Sequence, residues 1–129
     1  MKTPLWWLVE RSDVRFLLVI SHAPYDGTDV VWNALRLADA ALEDGLEARL
    51  FLINEGVDLA REASRPAEPE FDLQAMLSDL MDRGAEVRLC QTCLTRCGIA
   101  RGDVLPGAQV AGMNDLLDWI KHSDKALTF

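Results

Sequence analysis

The chain of 129 residues lacks any apolar run near the 18 or more residues that a membrane-spanning helix requires. Its longest apolar runs, residues 5–9 and 16–20, are of a size that fits a protein core. Positive charge is also scarce: 13 Lys and Arg stand against 21 Asp and Glu, for a net charge of −8. A surface of that sign repels phosphate backbones and anionic lipid, so neither nucleic acid nor a membrane is the expected partner. There is no glycine-rich phosphate loop, because residues 22–27 (HAPYDG) hold one glycine where nucleotide motifs need several. The signatures His-Glu-x-x-His and Gly-x-Ser-x-Gly are missing, as are internal repeats and low-complexity tracts.

Half of the residues are apolar and 26% are charged, the composition of a globular protein. The length predicts one domain over residues 1–129, with residues 1–13 as an N-terminal extension. Chains of this size bury about two thirds of their extended surface, enough for one core. The extension has one lysine and the apolar patch Leu5-Trp6-Trp7-Leu8-Val9 but no small-residue cleavage site. It reads as a poor signal peptide, and the expected location is the cytoplasm. Trp32 and Trp119 are expected in the core, and the adjacent Trp6 and Trp7 in an oligomer interface, where tryptophan is enriched.

Strand and helix patterns alternate along the chain. Residues 15–21 (RFLLVIS) and 48–53 (ARLFLI) are continuous apolar runs, the mark of strands buried on both faces of a parallel sheet. Between them, apolar positions recur at helical spacing from Val30 to Leu42, with Thr28 as the expected N-cap and Gly45 as the stop. Residues 61–70, with two prolines, read as a surface loop. A helix over 71–83 directs Leu73, Met76, Leu77, Leu80 and Met81 inward, and 85–89 forms a third strand. Residues 109–111 form a fourth strand, 113–122 a helix with Leu116, Leu117 and Ile120 on its inner side, and 125–129 a last strand. The predicted fold is α/β, a three-layer α/β/α sandwich on a mainly parallel five-stranded sheet.

All three cysteines, Cys90, Cys93 and Cys97, fall within eight positions just after the third strand. A tight, odd-numbered cluster is not a secreted disulfide framework and points to thiol chemistry or metal. In open α/β sheets, reacting groups collect beyond the carboxyl ends of the strands, which is where Cys90 falls. If residues 91–97 turn helically, spacings of three and four bring the sulfurs towards one face. A helix start, with Arg88 and Arg96 nearby, would lower a thiol pKa, so at least one thiolate near neutral pH is expected. Three soft ligands from Cys90, Cys93 and Cys97 leave metal binding open, although a structural zinc site wants a fourth and His22 and His122 are remote in sequence. Leu94 after the second cysteine excludes haem attachment. His22, at the end of the first strand, is a candidate proton shuttle, with a solvated loop histidine as the simpler reading.

Residues 87–99 (VRLCQTCLTRCGI) resemble the DsrE/DsrF-like family of sulfur-relay proteins. The resemblance extends over residues 15–129 and takes in 51–57 (FLINEGV), 105–107 (LPG), Gly112-Met113 and 126–129 (ALTF). It implies a doubly wound, flavodoxin-like fold assembled as trimers or hexamers, and no cofactor. It also implies that Cys90 takes up a sulfane sulfur as a persulfide and passes it on, with sulfur donor and acceptor proteins as partners. Cys93 matches a second cysteine present in many members. Position 97, usually arginine in the family, is Cys97 here, with arginine displaced to Arg96, so Cys97, Arg96 and His22 are auxiliary candidates. The predicted function is therefore sulfur relay through Cys90 and Cys93. The alternatives are a thiol-based metal-binding or redox-sensing module, and a non-catalytic subunit of a hetero-oligomer.

Overall fold

The computed structural model describes residues 14–62 and 71–129. The expectations for residues 1–13, including Trp6 and Trp7, lie outside them, as does most of the proline-containing loop.

Strand β1 (Arg15–Ile20) is followed by helix α1 (Val30–Glu43) and strand β2 (Glu47–Leu52). The inner positions of α1, from Val31 through Ala34, Leu35 and Ala38 to Ala41, repeat at three and four and are all buried. Gly45 ends it with φ +82, a conformation costly for other residues. The N-cap is Asp29, not Thr28. The Thr28 hydroxyl instead donates to the Asp26 carboxylate at 2.6 Å and receives only a long 3.4 Å contact from the Val30 N–H. Helix α2 (Leu73–Asp82) is capped by Asp72, whose carboxylate accepts the Ala75 N–H at 3.0 Å. Strand β3 (Glu86–Cys90) leads into the short helix α3 (Gln91–Arg96), and strand β4 (Gln109–Ala111), helix α4 (Met113–Lys121) and strand β5 (Lys125–Thr128) complete the order.

The sheet runs β4-β3-β2-β1-β5 with every pair parallel. Right-handed crossovers stepping from β1 to β4 put α1 and α2 on one face, where they pack on each other. The return from β4 to β5 carries α4 over the other face. This is the α/β sandwich read from the sequence.

Two details differ from expectation. Residues Asn54–Ala60 form a 3-10 helix whose Val57, Leu59 and Ala60 are buried, a segment too short to show helical periodicity in sequence. On α4 the inward residues are Leu116 and Trp119, whereas Leu117 and Ile120 are exposed. Trp119 turns inward because the sheet presents Phe51, which it meets edge-on at 6.1 Å. The Arg49 and Arg88 guanidiniums lie 5.4 and 4.3 Å from the Trp119 ring. Arg88 is thus a sheet-face residue stacked on Trp119, since alternate residues of a strand point to opposite faces.

Candidate functional site

The carboxyl ends of β2, β3 and β4 surround a cavity of about 560 Å³. Its lining includes Asn54, Glu55, Cys90, Cys93, Arg96 and Cys97. The three cysteines singled out in the sequence therefore open into one space. Cys90 is both the last residue of β3 and the N-cap of α3, with extended backbone at φ −67 and ψ 120. Cys97 is the C-cap, and its N–H donates to the Cys93 carbonyl at 2.9 Å, so the helical path continues to the third thiol. Burial falls steadily along this path. Cys90 is only 5% exposed, Cys93 is half-buried and Cys97 is exposed.

The strand-to-helix junction is shaped from β2. Asn54 adopts φ +52, which asparagine tolerates better than most residues, and its N–H donates to the Cys93 sulfur at 3.1 Å. Two residues on, a Cβ on Gly56 would lie 2.1 Å from the Ile20 carbonyl oxygen. The missing side chain lets the 3-10 helix press against the end of β1 and holds Asn54 over the thiols. Asn54 carried no signal as a site residue in the sequence beyond its place in an Asn-Glu-Gly turn.

Burial pushes the Cys93 thiol up, and its hydrogen bond with Cys90 pushes it further, against the lowering effect of the Asn54 N–H. The expected lowering of a thiol pKa at this turn therefore does not occur at Cys93. Arg96 does line the cavity, while Arg88 is engaged with Trp119. His22 does not line it. That residue is exposed and sits near Asp26, whose pKa is lowered chiefly by its bonds from Thr28 and in part by His22.

Among the described residues no group of three His, Cys, Asp or Glu side chains is arranged to hold a metal ion. Cys90, Cys93 and Cys97 do not form such a group. Among the described residues, too, no helix is long and apolar enough to cross a membrane.

The geometry is that of a small α/β protein with a thiol cluster at the carboxyl edge of its sheet. The DsrE/DsrF-like family model matches residues 14–129, and the chain belongs to that family. It is 33% identical over 117 residues to protein YchN of Escherichia coli K12, covering 89% of this chain and 98% of that protein. It is 32% identical over 130 residues to sulfurtransferase TusD of Cronobacter sakazakii, covering 90% of this chain and all of that protein. The crystal structure of the Escherichia coli YchN protein superimposes with a TM-score of 0.83 over 90% of this chain and 99% of that one.

Proposed function

We propose that this protein is a sulfur-relay protein, a persulfide carrier or sulfurtransferase subunit, with Cys90 as the sulfur-accepting residue and Cys93 as its partner. The observation that carries the reading is the placement of Cys90 at the end of β3, lining the same cavity as Cys93. Membership of the DsrE/DsrF-like family and similarity to a TusD sulfurtransferase support it. In the pair the roles divide. Cys90, at the end of β3, is the attacking sulfur, and Cys93 is the neighbouring thiol on the same cavity.

The Cys90 thiolate attacks the outer sulfur of a donor persulfide, R–S–SH. A new S–S bond forms at Cys90, the donor S–S bond breaks, and R–S⁻ leaves with its electron pair. An acceptor thiolate then takes the outer sulfur from Cys90 and returns Cys90 to the thiolate. Each step is an exchange with no net oxidation, and its rate follows thiolate fraction and access. The donor and acceptor are proteins that reach the cavity, and the carrier acts in the cytoplasm within a homo- or hetero-oligomer, a trimer or hexamer.

The test is incubation with inorganic polysulfide followed by mass spectrometry of the peptides. Wild type gains one sulfur mass on the peptide holding Cys90, Cys90→Ser loses it, and Cys93→Ser keeps a reduced amount. Undiminished loading of the protein after Cys90→Ser overturns the assignment. Light scattering on the full chain, reading a mass above the 14.4 kDa of one copy, tests the oligomer.

A further inference from the structure

We propose that the third cysteine, Cys97, is the delivery station of a three-thiol ladder, in which sulfur taken up at Cys90 steps through Cys93 to Cys97 at the cavity rim. This rests on the carrier reading above and assigns the residue at which an acceptor collects the sulfur.

Cys90 at the N-cap of α3, Cys93 within it and Cys97 at its C-cap follow one another at three and four residues, the two intervals that share a helix face. The Cys97 N–H to Cys93 carbonyl bond shows that the second interval is a full helical turn. All three line one cavity, and their exposure rises from Cys90 through Cys93 to Cys97. The electrostatic influence on Cys93 comes from both neighbours, as expected for the middle rung.

Distances then decide the route. Side chains one helical turn apart have Cβ atoms about 5–6 Å from each other. A persulfide places its outer sulfur about 2 Å beyond the inner one, which brings adjacent rungs near the 3–3.5 Å of an attacking pair. A direct jump from Cys90 to Cys97 spans about 10 Å along the helix. Cys93, placed between the two in sequence and lining the same cavity, is the intermediate of the ladder. At each rung the receiving thiolate attacks the outer sulfur of the persulfide below it. The old S–S bond breaks, the vacated residue leaves as a thiolate, and the received group, –S–SH, keeps the proton of the persulfide. Atoms and electrons balance without an oxidant or reductant.

The ladder solves a problem of access. Cys90, almost fully buried, shelters a persulfide from stray thiols but is hard for a large acceptor to reach. Cys97, exposed on the rim, has the opposite properties.

The sequence makes the test simple, because trypsin cuts after Arg88, Arg96 and Arg101. Residues 89–96 carry the first two thiols and residues 97–101 the third. Protein loaded with inorganic polysulfide and desalted is discharged either by 2-mercaptoethanol or by a thiol-derivatised dextran too large for the cavity. In wild type the added sulfur appears on peptide 89–96 first and on 97–101 later. In Cys97→Ser it accumulates on 89–96, and the ratio of dextran to 2-mercaptoethanol discharge rates falls by about tenfold, as loss of the accessible thiol requires. In Cys93→Ser, sulfur remains at Cys90 and the same ratio falls. A ratio in Cys97→Ser equal to that of wild type, with Cys90 loaded, overturns the ladder and leaves the carrier reading standing. Absence of sulfur from Cys90 in wild type overturns the carrier reading itself.

Discussion

At Cys93 the two sides of thiol electrostatics meet in one residue. Burial and the bond with Cys90 favour the protonated form, the Asn54 N–H favours the anion, and the first two prevail. A free thiol is half ionised near pH 8.5. Cys93 in the folded protein is therefore alkylated by iodoacetamide more slowly than free cysteine at that pH, and the deficit closes as pH rises. Peptide mapping after timed alkylation measures it. The sign for stability follows. The folded thiol titrates above the unfolded one, so its contribution is whole below the unfolded value and is lost as pH rises through the raised folded value. The three cysteines were legible as a site because their spacing matches a helix face. Asn54 was not, because it acts through its backbone N–H, and a backbone donor has no residue type to read.

Among the elements, the 3-10 helix and α4 give the sharpest contrasts. Gly56→Ala drives a methyl group into the Ile20 carbonyl, an overpacking that costs about 1–3 kcal/mol. Because the same segment carries the Asn54 N–H that favours the Cys93 anion, this variant also lowers the rate of Cys93 alkylation, while urea unfolding reports the lost stability. On α4, Trp119→Ala removes the ring that covers Phe51 and costs about 3–5 kcal/mol. Leu117→Ser and Ile120→Ser, at exposed positions, change unfolding free energy by less than about 0.5 kcal/mol. The sequence pattern marked Leu116, Leu117 and Ile120 together because helical spacing alone allows more than one apolar stripe around α4. The choice was made by Phe51, which lies 68 positions earlier and answers to Trp119. The long elements were readable because α1 and α2 carry several apolar residues at helical spacing and β1 and β2 are apolar runs. The 3-10 helix, packed as irregular backbone against β1, carries none.

For the molecule as a whole, alternation of strands and helices was enough to read the layered architecture, since each parallel step needs a crossover. The neighbour order was beyond that reading. Nothing in the periodicity says that β5 lies beside β1 rather than beyond β4, and that placement confines α4 to its own face of the sheet. The same arrangement gathers the ends of β2, β3 and β4 around the thiols and leaves β5 far from them.

The position of β5 also governs how the sheet comes apart. Its hydrogen-bond neighbour is β1, its residues are exposed, and the bonds of the Arg15 N–H to the Asp124 carboxylate and of the Asp124 N–H to the Arg15 carbonyl close a separation of 109 positions. Loop closure of that length makes its docking slow and late. On gentle warming the amides of β5 exchange with deuterium before those of β2. When the strand lifts, it uncovers a row of β1 donors and acceptors on which a foreign chain can pair.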